Sequence, residues 1–178
     1  LVYWDGEASD ISWPEPCIVE YVTNGQGGIN SLSKGTIDAM MADKNTSIYD
    51  LIGIGNIRKK YPPQTSTEKT VMQTVIGDMM SVYPSESYGI IFGSHGSGWL
   101  PTITGTRSIG QDGGRYSSDT ALIPELAEVL RTVNPQKFDF VLFDACMMGC
   151  AEVYYELKDA ARYCIACLLY TSPSPRDR

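Results

Sequence analysis

Tyr88-Gly-Ile-Ile-Phe-Gly-Ser-His-Gly-Ser-Gly-Trp99 decides the fold. Its first half, Tyr88–Gly93, is a short apolar run with two β-branched isoleucines, the pattern of a central strand in a parallel sheet with both faces covered. Its second half turns abruptly to small and polar residues, so a loop begins where the strand ends. The same pattern returns at Phe138-Asp-Phe-Val-Leu-Phe143, followed by Asp144-Ala-Cys-Met-Met-Gly149.

Helical periodicity fills the space between and around these strands. Ser66 or Thr67 can cap a helix running to about Val82, with Val71, Val75, Ile76, Met79 and Met80 on one face. Asp119–Val133 carries Leu122, Leu126, Val129 and Leu130 at helical spacing, and Met147–Arg162 reads as another helix before a strand at Tyr163–Ala166. Strands alternating with helices predict an α/β sheet with helices on both faces. Upstream the pattern is weaker. Leu1–Trp4 reads as a buried strand, Cys17–Val22 as an apolar run of either type, and Asn30–Asp43 as an amphipathic helix weakened by Gly35. Leu51–Lys60 reads as a strand, weakened by Gly53 and Gly55 and stopped by Pro62-Pro63.

The totals narrow the function classes. The chain has 178 residues, 43% hydrophobic and 20% charged, enough for one domain with a core. Its net charge is −7 and its one basic cluster is Arg58-Lys59-Lys60, which argues against a nucleic-acid partner. No apolar run approaches the roughly 20 residues of a membrane span. Five cysteines, an odd number, fit a disulfide framework poorly, and the one CxxC, Cys164–Cys167, lacks a second pair for a zinc site. Asp5, Glu7 and Asp10 are too sparse a set for calcium and read as a solvated loop.

Two residues carry chemistry. His95 is the only histidine. It stands just beyond a strand, where open α/β sheets bind ligands, between residues small enough to leave the imidazole unobstructed. Cys146 has the same placement after the second strand, at the expected start of a helix, where a thiol's pKa is lowered. Singly, each has an ordinary reading: a loop histidine that packs, or a buried structural cysteine. Together they form a Cys–His pair at two strand ends, in which the thiolate attacks a carbonyl and the imidazole handles the proton. The backbone N–H groups of Gly96 and Cys146 can face the same point as an oxyanion hole.

Ile90-Ile-Phe-Gly-Ser-His-Gly-Ser-Gly-Trp99 resembles the histidine motif of clostripain-type cysteine peptidases. Phe140-Val-Leu-Phe-Asp-Ala-Cys-Met-Met148 resembles their nucleophile motif. Ile109-Gly-Gln-Asp-Gly-Gly114, the helix around Leu122–Leu130 and Tyr163-Cys-Ile-Ala166 are also similar to that family. The resemblance spans roughly Leu1 to Ala166, weakly before Ser66 and strongly after Tyr88. It implies a caspase-like three-layer α/β/α sandwich over residues 1–166, incomplete at both ends, and endopeptidase activity on peptide or protein substrates after Arg or Lys. It implies a bacterial exported or cell-surface protein. It implies no cofactor, with calcium known only among some relatives.

Asp144 matches an acidic position beside the family's nucleophile, where a carboxylate can pair with a basic side chain; capping of a helix at Cys146 is the competing reading. The long loop from Ser94 to about Ser118 holds Arg107 and Arg115, either of which such a peptidase could cut in its own chain, although both also read as ordinary surface charges. The rival readings are an inactive, peptide-binding relative and a thiol redox domain. The absence of an initiator Met predicts further sequence upstream. Cys167-Leu-Leu-Tyr-Thr-Ser-Pro-Ser-Pro-Arg-Asp-Arg178 resembles translated adaptor sequence and is set aside from the fold.

Overall fold

The computed structural model describes residues 1–5, 15–98, 108–112 and 119–167. They fall into two compact units that meet in sequence between Gln64 and Thr65.

The first unit is a small antiparallel sheet. Its central strand β2 (Cys17–Glu20) pairs with β1 (Val2–Trp4) on one side. On the other side it pairs with a C-terminal strand, Asn56–Lys60. The apolar run at Cys17 is thus a strand, with Cys17, Ile18 and Val19 buried. Trp4 Nε1 donates to the Tyr21 hydroxyl at 2.9 Å, and that hydroxyl donates to the Leu51 carbonyl at 2.9 Å. Helix α1 (Lys34–Ala42) is shorter than the expected Asn30–Asp43, because the Ser33 hydroxyl accepts the Thr36 N–H and caps the helix there.

The reading of Leu51–Lys60 as one strand is corrected. Helix α2 (Ile48–Gly53) takes its first half, capped by reciprocal bonds between Ser47 and Asp50, and strand β3 (Asn56–Lys60) takes the second. The capping box outweighs the β-branched residues that suggested a strand. Those hydrogen bonds from Ser47 hold the Asp50 carboxyl below its ordinary pKa. The side chain of Glu20 is almost fully buried, 3.7 Å from the Arg58 guanidinium and accepting from Asn56 Nδ2 at 3.3 Å.

The second unit holds the chemistry. Helix α3 (Lys69–Val82) starts at Glu68 with no side-chain cap, so neither Ser66 nor Thr67 plays the capping role the sequence suggested. Strand β4 (Gly89–Gly93) follows, and β5 (Ser108–Asp112) pairs antiparallel with β6 (Asp119–Leu122). The expected helix from Asp119 therefore gives up its first turn to β6. Helix α4 (Ile123–Val133) begins only where Pro124, in its first turn, needs no N–H partner. Then come β7 (Phe138–Asp144), α5 (Ala151–Leu157) and β8 (Ala161–Ala166). The helix expected over Met147–Arg162 is less than half that length, and β8 claims its last residues.

Strands β4, β7 and β8 form a parallel sheet in that order, with β7 in the middle. Strand β4, read from sequence as central, lies at one edge of this three-stranded group, and its Ile91 is 61% exposed. The chain steps across the sheet in one direction, and right-handed crossovers in one direction place their helices on one face. Accordingly the crossover helices α4 and α5, with α3 packed against α4, share a single core with Ile90, Phe92, Val141, Phe143, Cys164 and Ala166. The fold class is α/β, as the alternation of strands and helices implies.

Helix α4 is the centre of that core, with Ile123, Leu126, Ala127, Val129 and Leu130 all fully buried. Leu130→Ala removes a branched side chain from a fully buried site lined by other apolar residues. It is expected to cost about 2–5 kcal/mol of stability, read as a lower urea midpoint with an unchanged slope.

Candidate active site

The geometry of the site follows from the register of two strands. Gly93 of β4 pairs with Asp144 of β7, the last pair in that ladder. Both chains leave the sheet from there in the same direction, and the Ser94 N–H donates to the Asp144 carbonyl at 3.3 Å. His95 and Cys146 each stand two residues beyond that pair. The sequence therefore places both at the carboxyl edge of one sheet, on neighbouring strands, as parallel α/β sheets place their ligand sites. His95 is exposed and Cys146 is partly so.

The histidine turn is held from outside by β5. The Gly110 N–H donates to the His95 carbonyl at 2.9 Å, and Gly96 bridges to Ile109, which is buried. Because that bond joins residues 95 and 110, the Gly96 N–H takes no part in it. The cysteine turn is held by Met148, fully buried in the core, and by the Gly149 N–H donating to the Cys167 carbonyl at 2.9 Å. Sequence reading treated 94–118 as plain loop and missed β5. The alternation around Ile109 was the available signal, but a run of glycines masks it.

One expectation at Cys146 is corrected. The thiol does not stand at a helix N-terminus, because α5 begins at Ala151 with Cys150 as its N-cap. Met147, at φ 60°, and the anchored Gly149 turn the chain away from helical geometry first. The helix dipole is therefore no reason for thiolate formation at Cys146. For the same reason Cys146 and Cys150 do not share a helix face. Asp144 does not cap a helix either. It ends β7, exposed, on the sheet face of Leu142, and the position of a side chain on its partner Gly93 is open space with no heavy atom within 4 Å.

The other cysteines have different surroundings. Burial raises the Cys164 thiol above its ordinary pKa, and burial likewise raises Cys17, partly offset by Lys60. Cys164 lies within β8 and Cys167 one residue beyond its end, and both are free cysteines. Among the described residues no group of three or more His, Cys, Asp or Glu could hold a metal ion, and no helix is long and apolar enough to cross a membrane. Glu7, Asp10, Arg107, Arg115 and the 168–178 tail lie outside the described residues.

A parallel α/β sheet presenting a thiol and an imidazole at adjacent strand ends defines a class of thiol-bearing α/β sites. The sequence pattern of the clostripain family, peptidase family C11, matches residues 20–172, and the chain belongs to that family. No curated protein matches it.

Among solved structures it is similar to a secreted C11 cysteine protease from Bacteroides thetaiotaomicron in complex with an irreversible peptide inhibitor. The identity there is 30% and the TM-score 0.64, over 98% of this chain and 40% of that one. A second similar structure is the secreted C11 cysteine protease iotapain from the same organism, at 24% identity and TM-score 0.57, over 69% of this chain and 37% of that one. A third is an inactive zymogen of a C11 protease from Parabacteroides distasonis, at 31% identity and TM-score 0.52, over 69% and 33% respectively. These likenesses establish a caspase-like fold. The chain spans about two fifths of the length of the first of these structures, and less of the other two.

Proposed function

We propose that the protein is a cysteine endopeptidase in which Cys146 is the nucleophile and His95 the acid and base. The observation that carries this reading is the shared register. Each residue lies two positions beyond the Gly93–Asp144 pair at the carboxyl edge of the parallel sheet. In the reaction His95 takes the Cys146 proton, and the thiolate sulfur attacks the scissile carbonyl carbon. The carbonyl oxygen becomes an oxyanion facing the N–H groups of Gly96 and Cys146. As the C–N bond breaks, the imidazolium returns its proton to the leaving amine. Water, deprotonated by His95, then attacks the thioester carbon, the C–S bond breaks to release the acid product, and the imidazolium returns its proton to the Cys146 thiolate. Side chains and water supply every proton and electron pair in this sequence.

Peptide and protein segments with Arg or Lys on the acyl side of the cut are the proposed substrates. Asp144 offers a carboxylate at the strand end, Gly93 beside it leaves room, and the neighbouring Leu142 and Ile91 give an apolar ledge for an aliphatic stem. Export from the cell is proposed from kinship with C11 proteases described as secreted.

The reading is tested with a peptidyl chloromethyl ketone ending in Arg, which alkylates a nearby active thiolate. Full-length protein is expected to carry one adduct on Cys146, found by peptide mapping, and to lose it in His95→Ala. The raised thiols of Cys17 and Cys164 favour that selectivity. An adduct spread over several cysteines, or one on Cys146 that ignores His95, overturns the reading.

A further inference from the structure

The two turns that carry His95 and Cys146 approach so closely that the nearest atom to a side chain added at Gly96 or Gly98 would be a backbone carbonyl oxygen of the other turn. A Cβ added at Gly96 would lie 2.6 Å from the Cys146 carbonyl oxygen and 2.9 Å from Met148 Sδ. One added at Gly98 would run into the Met147 carbonyl oxygen, and Gly98 already sits at φ +63°. Met147 itself is left-handed, at φ 60°, a region a methionine rarely adopts without surrounding structure to hold it there. The Ser94 N–H on the Asp144 carbonyl ties the two strand ends together where the turns begin, and on their outer sides the turns are fastened by the Gly110 N–H on the His95 carbonyl and by Met148 in the core. On their inner sides each turn is the other's support.

We propose that Gly96 and Gly98 are positioning residues, forming a backbone lock that sets the separation of the His95 imidazole from the Cys146 thiol and holds Met147 left-handed. The inference rests on the Cys–His reading above. A methyl group at either glycine must push one turn away from the other, because the atom it meets is a carbonyl oxygen rather than the end of a flexible side chain. Small displacements of reacting groups cost rate far more than they cost binding. Gly77, on α3, has no heavy atom within 4 Å of an added Cβ, so it controls for the loss of a glycine as such.

The test is the pH profile of Cys146 alkylation by iodoacetamide, followed by peptide mass, together with kcat and KM, in full-length protein. A thiolate paired with His95 stays reactive well below pH 7, whereas an isolated thiol, with a pKa of about 8.5, loses reactivity roughly tenfold per pH unit below it. Gly96→Ala and Gly98→Ala are expected to move the profile toward the isolated thiol by about one pH unit or more and to lower kcat roughly tenfold, with KM changed less than about threefold. Gly77→Ala keeps the wild-type profile.

Wild-type protein with a His95-dependent acid limb, which both folded alanine variants retain, overturns the lock alone. Wild-type protein lacking that limb overturns the Cys–His reading, and the lock with it. Thermal melts show whether the variants fold. If neither does, Met147→Gly decides, because glycine accepts the left-handed backbone without strain while loosening the turn. It is expected to lower kcat about threefold or more at constant KM, and an unchanged kcat overturns the lock.

Discussion

Cys146→Ala in full-length protein is expected to abolish peptide cleavage, with kcat falling by about four orders of magnitude or more, and His95→Ala to do nearly as much. The two losses do not add. A thiol without its base is a poor nucleophile, and a base without its thiol has nothing to activate, so the double variant is expected to match the weaker single one within about tenfold. Neither residue carries the core. His95 is exposed and Cys146 only half-buried, so both variants are expected to melt within a few degrees of wild type. Initial rates on an Arg-containing peptide, beside thermal melts, check both statements. Full activity in folded Cys146→Ala, or losses that multiply in the double variant, would end the idea of a working pair.

The strand ends that hold this pair were the most legible part of the sequence. Tyr88–Gly93 and Phe138–Phe143 are short apolar runs that stop abruptly at polar residues, and the structure stops them within a residue of those limits. The reason is local: β-branched and aromatic runs suit few alternatives to a strand. The placement of β4 was less legible, because an edge strand and a central one can share one sequence pattern, and only pairing partners separate them. Helix limits failed for a related reason. Apolar spacing shows where a helix can extend, while competing pairings show where it must stop. Thus β6 takes Asp119–Leu122 from α4, and β8 takes Ala161 and Arg162 from α5.

Around the candidate site, the two strand ends were legible in the sequence and the turns that follow them were not. Nothing about a methionine signals a left-handed backbone, so the turn at Met147 was read as helix. That error mattered chemically, because it assigned the activation of Cys146 to a helix terminus. With α5 beginning at Ala151, no helix terminus stands at Cys146, and the register brings the histidine turn to the neighbouring strand end. The glycines of Ser94-His-Gly-Ser-Gly98 were legible as small. That two of them meet specific carbonyl oxygens became visible only once the strands were paired.

Asp144→Asn is expected to change what is cut more than whether cutting occurs. The carboxylate belongs to the last strand pair, exposed, beside the open space at Gly93. A guanidinium or ammonium group reaching it exchanges water for a charge-assisted hydrogen bond, worth about 1.5–3 kcal/mol. Asparagine keeps the size and one acceptor but loses the charge. For substrates with Arg or Lys at the cut, kcat/KM should therefore fall about 10- to 100-fold, since each tenfold is about 1.4 kcal/mol. For a neutral residue such as norleucine, similar in length but uncharged, it should change by less than about threefold, because that side chain uses only the apolar ledge. The Arg-to-norleucine ratio of kcat/KM is the quantity to measure, since it cancels any general damage to the Cys146 turn two residues away. A ratio unchanged by Asp144→Asn would assign the basic preference elsewhere, and a wild-type preference for acidic residues at the cut would remove it altogether.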